Sequence, residues 1–390
     1  MRLQFSEEDE AFRAELLAWL DEHPPPNDPE RADPVRSSAD RKPWAAAWQR
    51  TLFDGGYLVP GWPPELGGRN ATPAQQMIYF EEFTRRDIRR TPNPQGLSIV
   101  TPSLVDHGTP EQRERWALPT LRAEISWCLG MSEPNAGSDL ASLTTRAVLD
   151  GDRFVVNGQK VWTSGAQHAD WCFCFVRTDP DAPKHKGISV LVIDMTSPGI
   201  EYRPIAELTE PTYADFNEVF FTDVLVPREH LVGDLNDGWR LSMGSLAHER
   251  AMLWINYAFD LGMVVDALVA LGKERGFDAR QRDLVASTWV DQLALQSLGY
   301  LGFAKFAKGQ AAPEHSILKL FGSESLQRAL LVGTEELGVD ALDLDRGGPP
   351  VWRTGGFAQQ WLRSFAATIP GGTSEIQRNI IAERVLGLPR

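Results

Sequence analysis

Apolar positions at the start of the chain follow the helical period. They recur at i, i+4, i+7 and i+8 in the stripe Phe12, Leu16, Trp19 and Leu20. A capping box of Ser6 and Asp9 precedes this stripe. Further helical patterns cover 44–53, 72–86, 97–107 and 111–122. The pattern therefore predicts a mostly helical first domain, 1–124.

From Ile125 the pattern changes to strands. Runs rich in Val, Ile and Phe are bounded by Gly, Pro, Asn or Asp and lie at 143–149, 153–157, 159–163, 171–177, 187–194 and 216–226. Asp150-Gly151 and Asn157-Gly158 are favoured two-residue turn pairs between such runs. We expect hairpins at both pairs and a β-domain over 125–238.

The helical period returns after Gly238. Helices are predicted at 239–272, 281–309, 314–338, 357–366 and 374–386, which form a third domain, 239–390. A chain with a helical, then a β, then a helical segment belongs to the α+β class.

Composition and charge narrow the possible functions. The 390 residues carry 39 Lys and Arg against 53 Asp and Glu, a net charge of −14, which argues against nucleic-acid or anionic-membrane binding. The acidic start lacks a signal-peptide pattern, and no uncharged apolar run of about twenty residues occurs, so we expect a cytoplasmic protein without membrane insertion. Cys128, Cys172 and Cys174 lack the spacing of a zinc site, which predicts structural reduced thiols and no metal.

Three polar loops contain candidate ligand-binding residues. Ser-Glu-Pro-Asn-Ala-Gly-Ser-Asp (132–139) and Asn-Gly-Gln-Lys-Val-Trp-Thr-Ser (157–164) lie beside strands, where small residues let backbone amides approach a planar, phosphorylated ligand. Pro-Gly-Gly-Thr-Ser-Glu (370–375) precedes the last helix, whose free N–H groups attract anions or polarised carbonyls. Taken singly, each is more often an ordinary loop or a helix cap.

Together with other segments, these loops resemble a known family. The segments that resemble motifs of acyl-CoA dehydrogenases, in the same order and spacing, are Gly61–Pro63, Phe154–Ser164, Phe221–Val224 with Val226-Pro227, and Gly371–Arg384. The resemblance covers nearly the whole chain. It implies an N-terminal helical domain, a middle β-barrel or sandwich and a C-terminal four-helix bundle. It also implies an oxidoreductase that uses FAD to convert an acyl-CoA thioester into the trans-2-enoyl-CoA.

The resemblance also assigns roles to individual residues. The positions that match cofactor-binding residues are Leu129, Met131, Ser132, Ser138, Trp162, Thr163, Ser164, Thr373 and Glu375. Ser138 and Arg250 match substrate-binding positions. An indole at Trp162 would lie near the isoalloxazine ring, and a neighbouring hydroxyl would reach its N5 atom.

The reaction requires a catalytic base, a carboxylate that removes the α-proton of the thioester. In many family members this base is a Glu two residues before the C-terminal Thr, but here that position is Gly371. A subset that includes isovaleryl-type enzymes carries the base on a helix, just before an Arg, and this position matches Glu249. Its helical neighbours, which would raise its pKa, are Leu246, Met252 and Leu253. We therefore predict Glu249 as the base.

Two departures from the family pattern concern assembly. The segments 276–281 and 336–340 depart from an Arg-x-x-Phe-Gly and a Gly-Gly-x-Gly motif that reach a neighbouring subunit's FAD. Similar losses occur in heteromeric actinobacterial enzymes that act on steroid-like acyl chains. A homodimer, a homotetramer and a heterotetramer with a related subunit therefore all stay open, and the family implies an electron-transfer flavoprotein as acceptor.

Two other functions remain compatible with the sequence. A flavin oxidase or monooxygenase on the same scaffold would pass electrons to oxygen. A non-catalytic partner subunit is favoured by Gly371 and disfavoured by Glu249. The identity of the acyl chain depends on pocket shape and stays open.

Overall fold

The computed structural model describes residues 5–26, 39–209, 214–241, 253–306, 308, 314–344 and 355–389. The chain forms two compact units. One contains 1–16, 73–88 and 250–390, and the other contains 17–72 and 89–249. The domain boundaries 1–124, 125–238 and 239–390 stay a prediction.

The first part of the chain is helical, as predicted. Its helices are α1 (Glu7–Glu22), α2 (Pro43–Asp54), α3 (Pro73–Arg85), α4 (Thr101–His107), α5 (Pro110–Gln112) and α6 (Leu118–Leu121). The capping box ahead of α1 is confirmed, because the Asp9 amide donates to Ser6 Oγ and the Ser6 amide donates to Asp9 Oδ2, both at 3.1 Å.

The predicted helices 97–107 and 111–122 are interrupted. A π-helical turn, Gly96–Val100, precedes α4, and a second one, Arg113–Ala117, precedes α6. Pro102 and Pro119 each occupy the first turn of the α-helix that follows. Proline has no N–H for the bond to residue i−4, so a wider turn before it accommodates the missing bond.

The described residues of the β region form eight strands. They are β1 (Trp127–Gly130), β2 (Arg146–Asp150), β3 (Arg153–Lys160), β4 (Trp171–Arg177), β5 (Ile188–Asp194), β6 (Ile200–Pro204), β7 (Asn217–Pro227) and β8 (Leu231–Val232). They pair in the order β6-β7-β3-β2-β4-β5-β8, and β1 runs parallel to β4. β1, β6 and β8 are additional to the strands predicted individually, since four-residue or polar runs give little alternation.

The turn predicted at Asn157-Gly158 is wrong. The hairpin predicted at Asp150-Gly151 is confirmed, with Gly151 and Asp152 as its two turn residues. β3 continues through Asn157 and Gly158, where two β7 residues oppose one residue of β3 in a bulge. Asn157 exchanges two 2.9 Å hydrogen bonds with the backbone and side chain of Asp223, which has a left-handed φ of 50°. A Cβ at Gly158 would lie 2.6 Å from Thr145 Cα. The glycine is therefore required by close strand packing and not by a turn.

One buried core lies inside the β region. Residues from β3 and β7, near one end of the strand order, share this core with residues from β4 and β5, near the other end. Its members include Phe154, Val156, Leu191, Ile193, Phe221 and Val224. The sheet therefore curls over onto itself, in agreement with the expected barrel or sandwich. Cys128, Cys172 and Cys174 lie in this core as free thiols. Contact with Cys128 and burial raise the pKa of the Cys172 thiol, which agrees with a structural role.

The opposite face of β4 and β5 is also buried. Phe173, Phe175, Val190 and Val192 alternate with the core-facing residues and pack on residues of the helical turns, among them Val100, Leu104 and Trp116. Because both faces are covered, β4 and β5 read as continuous apolar runs and not as strict alternation. β1, which leads into the first polar loop, pairs with β4 and so joins this doubly covered part of the sheet.

The C-terminal segment is helical, as predicted. Its helices are α7 (Leu253–Arg275), α8 (Ala279–Phe306), α9 (Glu314–Leu337), α10 (Phe357–Ala367) and α11 (Ser374–Ile380). Their shared core contains Leu261, Val264 and Leu268 of α7 with Leu295 and Leu330. A π-helical turn, Ile381–Val385, replaces the end of the predicted helix 374–386. The predicted helix 239–272 begins as predicted at 239–241, and its residues 242–252 lie outside the described residues.

One described helix is long and apolar enough to cross a membrane. This segment, Ile255–Arg275, has a mean hydropathy of 1.4, although Asp260 and Asp266 interrupt it. Core helices of soluble proteins have the same property, and Leu261, Val264 and Leu268 of this helix are buried in the helical core.

Candidate functional site

The two polar loops predicted to bind a ligand lie side by side. The Val161 amide, just after β3, donates to Ser132 O at 2.9 Å. Lys160 Nζ donates to Met131 O at 3.1 Å. The structure therefore brings Met131 and Ser132 next to the segment that contains Trp162, and Leu129 lies on β1 directly before this loop.

A buried ion pair holds these loops together. Lys160 Nζ lies 2.9 Å from Glu133 Oε1, and the two side chains are 0% and 5% exposed. The remaining acceptor positions of Glu133 are filled by the amides of Thr144 and Thr145, at 2.6 and 2.8 Å, and by the Thr144 hydroxyl at 2.8 Å. Burial alone raises the pKa of Glu133, but the Lys160 ammonium and these hydrogen bonds lower it to about 2.

The ionised Glu133 stabilises the fold in a defined pH range. Its folded-state pKa lies below the unfolded value of about 4.3, so this contribution is present above that pH and is lost as the pH falls towards 2. Between pH 5 and pH 3 we expect the unfolding free energy of the wild type to fall about 1.5 kcal/mol more than that of Glu133→Gln. Urea titrations of both proteins at the two pH values measure this difference, and parallel losses would contradict it.

Trp162 has an unusual backbone conformation. Its φ is 60°, in the left-handed region, and its indole is 58% exposed with its edge against Phe216, ring centres 5.9 Å apart. The residues on both sides are fixed, because Thr163 exchanges backbone hydrogen bonds of 3.0 and 3.1 Å with Asn217. A left-handed bulky residue costs of order 1–3 kcal/mol and is typical of functional sites.

Polar groups beside this indole lack partners. The Thr163 hydroxyl is fully buried and has no hydrogen-bond partner among the described residues. Within the described part of the chain, the Ser132 N–H likewise has no acceptor within hydrogen-bonding distance. Ser164 follows, half-buried. An exposed indole, an unpaired hydroxyl on the next residue and an unpaired amide on the adjoining loop fit a flat heteroaromatic ligand such as a flavin.

Ser138 lies further along the first loop. It is exposed, and its neighbour Asp139 pairs with Lys184 at 2.8 Å. Glu133 and Ala136 exchange backbone hydrogen bonds of 3.0 Å, which form a tight turn before Ser138. The fixed turn and the exposed serine suit contact with the outer part of a ligand.

Thr373 and Glu375 lie at the start of α11, in the other compact unit. Thr373 caps this helix, because its hydroxyl accepts from the Ile376 amide at 3.2 Å. Lys319 Nζ donates to Gly372 O at 2.7 Å and so fixes the preceding loop. Glu375 is exposed and lies 3.5 Å from Arg378. The cap predicted before the last helix is confirmed, while the cofactor-binding roles of both residues stay predictions.

The predicted base and one predicted substrate residue lie outside the described residues. These are Glu249 and Arg250. Their roles stay predictions that rest on the resemblance.

Sequence reasoning overlooked the Glu133–Lys160 pair and Asn217. The sequence contains one signal for the lysine. Phe154 and Val156 face the core, and after the bulge Lys160 faces inward as well. A lysine at an inward strand position requires a buried acidic partner. Here that partner is Glu133, which lies 27 residues earlier in the sequence.

Comparison with known families identifies the chain. Three family models match it: the acyl-CoA dehydrogenase N-terminal domain over residues 6–124, the middle domain over 128–224 and the C-terminal domain over 236–386. The chain belongs to the acyl-CoA dehydrogenase family. The predicted family and α+β fold are therefore confirmed, and the protein is an oxidoreductase of a flavoprotein family.

Individual relatives agree with this assignment. Acyl-CoA dehydrogenase IpdE1 of Mycobacterium tuberculosis is 38% identical over 352 residues, which cover 88% of each chain. A solved structure described as the Tcur3481-Tcur3483 steroid ACAD matches at 30% identity and a TM-score of 0.83, covering 100% of both chains. The ChsE4-ChsE5 complex from Mycobacterium tuberculosis matches at 30% identity and a TM-score of 0.82, again over 100% of both chains.

Proposed function

We propose that this acyl-CoA dehydrogenase uses FAD to desaturate an acyl-CoA thioester to the trans-2-enoyl-CoA. The observation that carries this proposal is the strained, exposed Trp162 beside the buried, unpaired hydroxyl of Thr163. Strained backbone conformations of this kind cluster at ligand-binding and active sites. A flavin ring would satisfy the hydroxyl and cover the indole.

The loop residues 129–138 and 161–164, which we call the cradle, would hold the cofactor from one side. Leu129, Met131 and Ser132 would line the ring, with Ser164 at its edge, and Ser138 would approach the phosphates or the substrate. When bound, FAD supplies an acceptor for the hydride that leaves the β-carbon. The protein contributes orientation and exclusion of water.

Proton removal requires a group outside this cradle. We assign it to the Glu249 carboxylate, which would take the α-proton, with Arg250 orienting the substrate. Gly371 has no side chain that could accept a proton, and its φ of 69° suits glycine. Thr373 and Glu375 would lie near the cofactor at the start of α11.

The descriptions of similar proteins support two further proposals, one on the substrate class and one on the assembly. The solved structures above are described as the Tcur3481-Tcur3483 steroid ACAD and as the ChsE4-ChsE5 complex. We propose a steroid-like acyl-CoA substrate and a heterotetramer with a related subunit, with a homomer as the alternative. An electron-transfer flavoprotein would be the electron acceptor, and the cytoplasm the location.

A second candidate function is a non-catalytic partner subunit. Gly371 favours it, since the usual base position lacks a carboxylate. Weighing the purified protein alone and after co-expression with related chains separates homomeric from heteromeric assembly.

The visible absorption spectrum of the purified protein tests the proposed function. We expect a flavin spectrum that bleaches anaerobically on addition of an acyl-CoA, with a steroid-like thioester more effective than linear or branched ones. Re-oxidation by an artificial acceptor but not by oxygen would exclude the oxidase alternative. A flavin that no acyl-CoA bleaches would contradict catalysis, and absence of flavin alone and in complex would contradict cofactor binding.

Trp162→Ala tests the cradle. Loss of the indole contact should raise the Kd for FAD about 5- to 30-fold, which corresponds to about 1–2 kcal/mol. The apo-protein should change in stability by less than about 1 kcal/mol, because the side chain is exposed. Trp289→Ala is the matched control, since this indole is 52% exposed on α8. Equal FAD affinities in both variants, measured by fluorescence titration, would contradict the role of Trp162.

A further inference from the structure

The Glu133–Lys160 pair has no part in the chemistry proposed above. Lys160 is fully buried, and its ammonium contacts only Glu133 and the Met131 carbonyl among the described residues. Transfer of two charges into a protein interior is unfavourable, and an apolar pair of similar volume is often at least as stable. The location of this pair beneath the cradle suggests a function beyond stability.

The Lys160 ammonium acts on one particular peptide group. It donates to Met131 O at 3.1 Å, and this carbonyl belongs to the same peptide unit as the Ser132 N–H. A cation on the carbonyl oxygen polarises the peptide and makes its N–H a stronger donor. This N–H is the one that has no acceptor among the described residues.

Glu133 fixes the distance between the two loops. It binds Lys160 at the end of β3 and, through the amides of Thr144 and Thr145, the segment that leads into β2. The Val161 amide, which donates to Ser132 O, also joins the two loops. The Ser132 N–H and the strained Trp162 are therefore held at a set spacing before any ligand binds.

We propose that Lys160 and Glu133 are positioning residues for the flavin. Lys160 strengthens the Ser132 N–H as a donor to the flavin ring, and Glu133 keeps this donor in register with Trp162. The inference rests on the proposed FAD site. A stronger donor stabilises the electron-rich reduced ring more than the oxidised ring, so the pair raises the reduction potential of the bound cofactor.

The double variant Glu133→Gln/Lys160→Met tests this role, because it removes both charges with little change in volume. We expect the apo-protein to fold with near wild-type thermal stability. The holoenzyme should show a Kd for oxidised FAD at least tenfold higher. Affinity for reduced FAD should fall a further tenfold, which lowers the two-electron potential by about 30 mV.

The single variant Glu133→Gln separates the effect of Glu133 from that of Lys160. It retains the Lys160 ammonium, so the potential of bound FAD should stay near the wild-type value while thermal stability falls. The matched control is Glu201→Gln/Arg203→Met, which removes an exposed ion pair of 2.8 Å from β6 of the same sheet. This control should change neither FAD affinity nor potential.

Spectroelectrochemical titration and FAD fluorescence titration give these values. A double variant with wild-type potential and FAD affinity would overturn the inference and leave the proposed function intact. A wild-type protein that binds no FAD would overturn both. A double variant that binds FAD at least tenfold more weakly and has the lower potential supports the inference, since a purely structural pair would not shift the potential.

Discussion

Glu249→Gln is expected to lower the turnover number with an acyl-CoA substrate by about 10²- to 10⁴-fold, the usual contribution of a general base. Glutamine keeps the size and hydrogen-bonding capacity of the side chain but cannot accept the α-proton. FAD should stay bound, because the residues of the cradle are unchanged. The decisive measurements are anaerobic flavin bleaching and the exchange of the substrate α-proton with D2O.

The control for this variant is Glu274→Gln, an exposed carboxylate near the end of α7. It should retain wild-type bleaching and exchange. If Glu249→Gln exchanges the α-proton at the wild-type rate, another group removes the proton and the assignment is wrong. If both proteins bind FAD but neither exchanges the proton, the non-catalytic subunit becomes the better interpretation.

Lys160→Met should lower the free energy of unfolding by about 3–5 kcal/mol, the usual result of removing one partner of a buried ion pair. The carboxylate of Glu133 would remain buried without its cation, at 5% exposure. Urea unfolding of the apo-protein at pH 7 measures the loss. The variant should also recover part of this loss at low pH, because a protonated Glu133 no longer requires a cation.

Two comparisons make this prediction specific. Lys184→Met removes a lysine from the pair with Asp139, whose side chains are both 60% exposed, and should leave the unfolding free energy nearly unchanged because solvent screens this pair. The double variant Glu133→Gln/Lys160→Met should be more stable than Lys160→Met alone, since no unpaired charge remains. A loss below about 1 kcal/mol for Lys160→Met would show that water or another group compensates the charge.

Local patterns predicted the class of each segment but not every connection. The alternation in β3 and β7 is visible in the sequence, and so are the caps at Ser6 and Thr373. The Asn157-Gly158 pair is equally compatible with a turn and with a bulge. The choice depends on Asp223 in a strand 66 residues away, which local reasoning does not reach.

The sequence predicted which residues form the candidate site, but not how they are arranged. Trp162 and Thr163 follow from resemblance to a family, but the left-handed backbone and the unpaired hydroxyl depend on hydrogen bonds to Asn217 and Ser132. Charged residues are normally expected at the surface, so the burial of Lys160 becomes visible only with its partner Glu133 in place. Glu249 stays a prediction from sequence.

The loop before α11 has a consequence for how such enzymes diverge. Lys319, itself buried, holds this loop by the carbonyl of Gly372, just as Lys160 holds the other loop by the carbonyl of Met131. A hydrogen bond to a main-chain carbonyl does not depend on which side chains the loop carries. The side chains of the loop can therefore change while its path is retained, although the left-handed φ of 69° at Gly371 favours glycine there. A carboxylate can thus be lost from the position of Gly371 without a change in the path of this loop.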